Sequence, residues 1–369
     1  MWTMGGTDIG AQTQGMAGQV ARARLLLADG NWQDAEILLR GAAAAGNCDA
    51  MLELGQHLFL GRPPIPDAIL QEAVNLITQG ARAGHAGAAH LAALIAANDP
   101  SAADHWNDAL DYLTQSAVAG HRLAQFELAF LAGDRNIAAL LGAGERIAPD
   151  TWKMLRNAVD ISALTAAPAA RIISETPRIV MVDEFITPAM CDWIMRRAKP
   201  ALKRARGYNP QGDGPIQRTN SEVEYPFPEL DFVHMAVRQR ISNVTGLSQL
   251  GMEPPSVFRY MPGQEFTGHF DFLDPDRLAE EIARTGQCVA TALIYLSTDF
   301  DGGETEFSKI GLRIKGMNRG DALIFRNVDM AGVPDLKTFH AGLPPTRGEK
   351  WLFSQFVRNT KQANKLPGA

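Results

Sequence analysis

His269 and Asp271 stand two residues apart at the end of the run Tyr260-Met-Pro-Gly-Gln-Glu-Phe-Thr-Gly-His-Phe-Asp271, and a further histidine, His340, precedes Lys350 by ten residues. Two imidazoles and one carboxylate are the donor set that holds one face of Fe(II) and leaves the other positions open for dioxygen and a bidentate organic acid. Side chains two apart in a strand share a face, so His269 and Asp271 can reach one metal. His340 must then return from a distant strand, which is how a small β-barrel builds such a site. A lone His-x-Asp also arises without any metal, so the pair alone is a weak motif.

The flanking segments add specificity. In chain order come Ala290-Thr-Ala-Leu-Ile-Tyr-Leu296, Gly302-Gly-Glu-Thr-Glu-Phe307, Lys315-Gly316, Gly320-Asp-Ala-Leu-Ile-Phe325 and Thr338-Phe-His-Ala-Gly-Leu-Pro-Pro-Thr-Arg-Gly-Glu-Lys-Trp351. In this order and spacing they resemble the catalytic domain of the prolyl 4-hydroxylase family of Fe(II)- and 2-oxoglutarate-dependent dioxygenases, over roughly residues 177 to 360. The resemblance implies a double-stranded β-helix (jelly-roll) core flanked by helices. It also implies iron held by His269, Asp271 and His340, and 2-oxoglutarate bound beside it, decarboxylated to succinate as dioxygen hydroxylates a C–H bond. Ascorbate would serve as reductant.

Lys350 would bind the distal carboxylate of the co-substrate. An ammonium on a long stem is a compact partner for a carboxylate that must leave water. A surface lysine is the plainer alternative, but Trp351-Leu-Phe-Ser-Gln-Phe-Val357 reads as a buried strand and turns Lys350 inward. By the same resemblance Tyr260 and Thr305 add hydroxyl hydrogen bonds to the co-substrate, although either could instead be a strand residue packing in the pleat.

Departures from the family pattern bear on the target. Cys288 stands where the family commonly carries an arginine near the bound peptide, and Phe356 replaces the second tryptophan of the Lys-Trp strand, keeping an aromatic wall without the indole N–H. Arg218-Thr219 resembles the family's Arg-Thr-Ser at the substrate loop, after a Gly/Pro-rich stretch from Gly207 to Pro215 that reads as a lid. Arg218, Cys288 and Phe356 are thus the candidate substrate contacts. Glu222, Glu224, Glu229 and Asp231, with Asp274, Asp276, Glu280 and Glu281, leave a cationic target open beside the plainer reading of solvated carboxylates.

The leading expectation is therefore a hydroxylase of a protein or peptide side chain, prolyl 4-hydroxylation first and arginyl or another residue second. A free amino acid hydroxylase and a non-catalytic repeat scaffold stand behind these. Retention of His269, Asp271, His340 and Lys350 together argues against the scaffold.

A chain of 369 residues exceeds one barrel domain. Ala43-Ala-Ala-Gly46-Asn, Arg82-Ala-Gly84-His and Val118-Ala-Gly120-His recur at intervals of 38 and 36 residues, each between amphipathic stretches such as Asp34–Arg40 and Ala50–Gly55, or Ala109–Gln115. A period in the thirties with paired Ala-rich helices signals an α-solenoid. The region resembles Sel1-like or tetratricopeptide repeats, with an Ala-rich bundle lacking repeat character as the alternative. His85 and His121 occupy matching places after repeat glycines, while His57, His90, His105 and His234 have no convincing ligand spacing. Such an array would recruit the protein substrate, or only brace the barrel or a homodimer.

The expected organisation is α+β and multidomain: a helical-repeat domain over 17–165, a linker over 166–177 containing Pro168 and Pro177, and a dioxygenase domain over 178–360. Arg178–Asp183 reads as its first strand. Thr187-Pro188 opens a helix with a cap and a first-turn proline, and a second helix runs from about Asp231 to Thr245. With 46% apolar residues the chain can build sizeable cores, yet no run approaches a membrane span and no secretory leader is evident. Cys48, Cys191 and Cys288 lack disulfide or metal-pair spacing and read as reduced thiols. A cytoplasmic protein follows, and a net charge of −6 weighs against non-specific nucleic-acid binding.

Overall fold

The structure is a computed structural model that describes residues 8–61, 65–99, 104–205 and 218–359. Two compact units divide the chain between Ile161 and Ser162. The first is helical: Asp8–Ala28, Trp32–Ala44, Cys48–Phe59, Asp67–Arg82, Ala86–Ala97, His105–Val118, Arg122–Leu131, Arg135–Gly142 and Pro149–Ala158, each of the first eight packed on the next and the last on His105–Val118 and Arg122–Leu131. Its core is built on small residues, with Ala23, Ala35, Ala42, Ala50 and Ala73 fully buried beside Leu39 and Leu54. Short side chains let helix backbones approach closely.

The recurring glycines end one helix and the residue after each starts the next. Gly46, Gly84 and Gly120 have φ of 89°, 85° and 91°, left-handed values that only glycine adopts without strain. The following Asn47, His85 and His121 then cap. Asn47 Oδ1 accepts from Ala50 N at 2.8 Å, His85 Nδ1 from Ala88 N at 3.1 Å and His121 Nδ1 from Ala124 N at 3.3 Å. The two histidines therefore serve helix starts. Gly30-Asn31 and Gly133-Asp134 repeat the device, with Asn31 and Asp134 as caps.

The second unit is a β structure of two main sheets and a two-stranded ribbon, Phe300–Gly302 paired with Pro345–Gly348, with flanking helices. Among the described residues the larger sheet runs, edge to edge, Arg171–Glu175, Arg178–Val182, Ala322–Arg326, Cys288–Tyr295, Lys350–Arg358, Ser256–Tyr260, Ser221–Glu224 and Lys203–Arg204. The smaller runs Leu312–Ile314, Thr305–Phe307, His340–Gly342 and Phe266–His269. All pairings among the described strands are antiparallel. Between the sheets lie Ile179, Leu293, Phe307, Leu323, Phe325 and Leu352, all buried, each contributing about 1.5–3 kcal/mol on removal from water.

Two helices brace the sheet as the sequence foretells. Pro188–Ala198 starts with Thr187, whose hydroxyl accepts from Met190 N at 3.2 Å. Phe232–Thr245 is capped by Asp231 and stopped by left-handed Gly246. The expected linker differs. Arg171–Glu175 is a strand paired with Arg178–Val182, so part of 166–177 belongs to the sheet, and Arg178 begins its second strand in sequence rather than its first. Upstream, Arg240 donates to the carbonyls of Ala163 at 2.6 Å and Leu164 at 2.9 Å, tying 162–165 to the catalytic unit. Before it, the helix Pro149–Ala158 ends and a short helix runs over Ile161–Thr165.

Candidate active site

His269 and His340, 71 positions apart, lie directly opposite each other in paired strands of the smaller sheet. Antiparallel neighbours place such side chains within about 5 Å, and the two imidazoles stand 4.3 Å apart between centroids. Asp271 follows where the strand has ended: its strand stops at His269 and Asp271 occupies a bend, so a turn rather than strand parity brings the carboxylate back. Asp271 Oδ1 lies 3.3 Å from His269 Nε2, and Oδ2 lies 3.5 Å from His340 Nε2. One donor atom from each of the three falls within 4.8 Å of the others.

Hydrogen bonds on the far side of each ring set the tautomers. His269 Nδ1 donates to Thr267 O at 2.8 Å and His340 Nδ1 to Thr338 O at 3.0 Å, which leaves both Nε2 lone pairs facing the carboxylate. Burial pushes His340 down to about 4, so its ring is neutral. Burial would raise Asp271, but the two histidines and the Thr291 hydroxyl, which donates to Oδ2 at 2.7 Å, hold it down to about 2. An ionised carboxylate and two imidazole lone pairs converging in a buried place form a fitting donor set for a divalent iron ion.

Lys350 is fully buried. Its Nζ donates to Gly303 O at 2.7 Å and lies 5.4 Å and 5.5 Å from the ring centroids of Tyr260 and Tyr295. Among the described residues no carboxylate pairs with it. Burial accordingly pushes its ammonium down to about 7. A buried cation held by one neutral carbonyl and two aromatic faces is half of an ion pair, and the missing half is an anionic ligand. Tyr260 is its cross-strand partner, and Thr305 Oγ1 lies 2.9 Å from Tyr295 Oη.

Strand alternation points Lys350, Leu352, Ser354 and Phe356 at one pocket, joined by Phe258, Phe266, Thr291, Leu293 and Gly342 with the donors above. The space among them is about 30 Å³. A wider cleft of about 590 Å³, lined by Arg178, Val244, Arg326, Asp329 and Met330, contains none of these groups.

Of the expected substrate residues, Phe356 lines the pocket. Arg218 stands behind its wall, paired with Glu222 at 2.7 Å and lying over Phe258 and Phe266 at 4.9 and 4.4 Å. Phe266 in turn stacks on His269 at 3.6 Å. Cys288 departs from expectation. It is buried outside the pocket lining, with its thiol accepting from Asn327 Nδ2 at 3.3 Å, and burial raises that thiol well above its usual value. Thr291 faces the pocket from the same strand. The acidic cluster also resolves differently: Asp231 is fully buried against Arg197, Trp193 and His234, and Glu222 is paired, so neither is a free carboxylate awaiting a cationic target. Gly207 to Pro215, read as a lid, lies outside the described residues.

Sequence reasoning passed over Thr291, Tyr295 and Asn327. The first two were visible as alternate positions of one apolar strand, whereas nothing in the neighbourhood of Asn327 pointed to the site.

A jelly-roll unit carrying a His-x-Asp…His donor set and a buried, unpaired lysine defines a 2-oxoglutarate/Fe(II)-dependent oxygenase. A family model, the 2OG-Fe(II) oxygenase superfamily, matches residues 255–358. Among curated proteins, "Probable prolyl 4-hydroxylase 4" of Arabidopsis thaliana is 31% identical over 209 residues, covering 50% of this chain and 68% of the relative. "Prolyl 4-hydroxylase subunit alpha-1" of Homo sapiens is 29% identical over 203 residues, covering 52% of this chain and 36% of that protein. Among solved structures, the viral collagen prolyl hydroxylase of Paramecium Bursaria Chlorella virus-1, in its 2OG complex, is 25% identical with a TM-score of 0.40, covering 49% of this chain and 96% of the other. The chain belongs to the prolyl 4-hydroxylase family. It is a dioxygenase that uses Fe(II), 2-oxoglutarate and O2.

Proposed function

We propose that this protein hydroxylates prolyl residues of a protein or peptide at C4. His269, Asp271 and His340 hold the iron, Lys350 takes the distal carboxylate of 2-oxoglutarate, and Tyr260 and Thr305 add hydroxyl contacts to it. When bound, iron and 2-oxoglutarate together activate dioxygen, one oxygen atom ending in succinate and the other in the product hydroxyl. The chain's own residues supply the rest. The Nδ1 bonds to Thr267 and Thr338 hold both rings with Nε2 turned toward Asp271, Lys350 fixes the co-substrate's far end, and Phe266, Phe307 and Phe325 keep water from the ligand rings.

The observation that carries this reading is the buried Lys350 ammonium, which no carboxylate among the described residues contacts, in the same pocket that the three metal donors line. Phe356 offers a flat apolar wall suited to a pyrrolidine ring. The arginyl alternative draws on Cys288, Phe356 and the acidic cluster; of these only Phe356 lines the pocket, and it is apolar, so the prolyl reading stands first. Ascorbate fits as the reductant that restores Fe(II).

For the helical unit, we read the Gly-cap device as the mark of a Sel1- or tetratricopeptide-like solenoid over 17–165 that recruits the protein substrate, with homodimer formation as its other use. No described helix is long and apolar enough to cross a membrane; a cytoplasmic site of action is the reading that accords with three reduced thiols.

The test is incubation of the protein with Fe(II), 2-oxoglutarate and a proline- and arginine-rich peptide library, following succinate and peptide mass. A shift of one oxygen atom on proline is expected, and the same shift confined to arginine would overturn the assignment. His269→Ala and Asp271→Ala should abolish succinate formation while leaving the far-ultraviolet circular dichroism spectrum unchanged. Normal succinate release by either variant would refute the triad.

A further inference from the structure

A carboxylate only accepts hydrogen bonds, and this fixes the direction of everything behind Asp271. Thr291 Oγ1 lies 2.7 Å from Asp271 Oδ2, so its single proton points at the carboxylate. Its oxygen is then free to accept, and Asn327 Nδ2 donates to it at 2.9 Å. The second proton of that amide goes to Cys288 Sγ at 3.3 Å. Thr291, Asn327 and Cys288 are each at most 2% exposed, so no water competes for these bonds. The amide orientation follows from the relay at a cost, since Asn327 Oδ1 is buried with no partner.

The backbone of Asn327 reaches the other arm of the site. Asp335 N donates to Asn327 O at 3.0 Å, Thr338 donates to Asp335 O through N at 3.0 Å and Oγ1 at 2.7 Å, and Thr338 O receives His340 Nδ1 at 3.0 Å. Asn327 N itself is anchored to Val289 O at 3.0 Å, on the strand that carries Thr291. One residue therefore stands at the root of two branches, one ending on Asp271 and the other on His340.

We propose that Asn327 is a positioning residue of the metal centre, acting on Asp271 through the Thr291 hydroxyl, with Cys288 as the anchor that holds its amide. The inference rests on the assignment of Asp271 and His340 as iron ligands. It gives Cys288 a task in place of substrate contact: where the family commonly carries an arginine, a buried thiol here takes the amide proton that would otherwise be unpaired. Groups that orient a metal's ligands typically change metal affinity about 10- to 100-fold when removed.

The experiment is titration of the full-length protein with Mn(II), which needs no turnover, reading free Mn(II) by electron paramagnetic resonance, with a thermal melt of the metal-free protein alongside. Wild type must bind first; failure there would sink the triad itself and is separable from failure of the relay. Thr291→Val keeps the shape and removes the proton, and it should weaken Mn(II) binding by about 10- to 100-fold in a protein that still melts cooperatively, at a temperature lowered by the loss of two buried hydrogen bonds, while Thr291→Ser restores binding. Asn327→Ala should weaken binding in the wild-type background and add little to Thr291→Val, because both cut the same path. Wild-type affinity in Thr291→Val, or a lowered melting temperature with affinity unmoved, overturns the proposal, as does full additivity of the two changes. If Asn327→Ala does not fold, the Thr291→Val and Thr291→Ser pair decides alone.

Discussion

Lys350 is the residue whose chemistry changes most between empty and loaded site. Its folded value of about 7 lies below the ordinary 10.5 because burial disfavours the ammonium. Between those values the unfolded chain holds more protons than the folded one, so stability of the metal- and ligand-free protein rises with pH across that window, and below 7 the cost of burying the charge is fully present. Lys350→Met should therefore be more stable than wild type at pH 6 and flatten the rise in melting temperature from pH 7 to 10, while its requirement for 2-oxoglutarate climbs by roughly two orders of magnitude or more. A dicarboxylic acid restores the missing counter-charge, so wild type at pH 8 should take up close to one proton on binding it, roughly as linkage requires. Calorimetry in buffers of different ionisation heat measures this directly, and binding without proton uptake would mean that the ammonium is already charged in the empty pocket. The candidate donors and Lys350 were legible as a set because their chemical types are rare in combination, and the structure brings them to one pocket. Thr291 and Asn327 were not, because a hydroxyl and an amide acquire their meaning only from the partner that the fold places beside them.

At the scale of elements, the site exists because two short strands pair in one register, with His340 opposite His269. The sequence pattern led to a strand before His269 and a buried strand after Lys350, and both are present. It erred in carrying the strand through Asp271 and in treating 171–175 as connector, because a bend and an edge pairing are decided by long-range neighbours rather than by local pattern. The register also depends on a residue that does no chemistry. A Cβ on Gly268 would lie 2.5 Å from the Phe339 ring, and Phe339 directly precedes His340. Gly268→Ala should push that ring away and drag His340 out of line, lowering stability by about 1–3 kcal/mol, as overpacking does, and weakening Mn(II) binding. Unaltered metal affinity with normal stability would show that Phe339 swings aside freely, leaving the register insensitive to this contact.

For the whole molecule, the division between Ile161 and Ser162 places the cut earlier than the proline-marked stretch suggested, since Arg240 holds Ala163 and Leu164 to the catalytic unit. The helical unit was legible in part. The recurrence of Ala-Gly followed by Asn or His exposed three of its turns, and Gly30-Asn31 and Gly133-Asp134 escaped notice because the same geometry there uses different flanking residues. All five turns obey one rule, a left-handed glycine followed by a side chain that accepts a backbone proton, which is why histidine, asparagine and aspartate interchange. Each of these side chains is committed to a helix start. A chain shortened to begin at Ser162 keeps every residue of the pocket and the carbonyls that Arg240 needs. It should bind Mn(II) and 2-oxoglutarate as the full chain does and release succinate at an unaltered basal rate. If the helical unit recruits substrate, the KM for a long protein substrate should rise while that for a short peptide stays fixed, since a second binding surface acts by raising local concentration. Equal KM values for both would assign the helices to stability or assembly instead, and sedimentation of the two forms would then tell which.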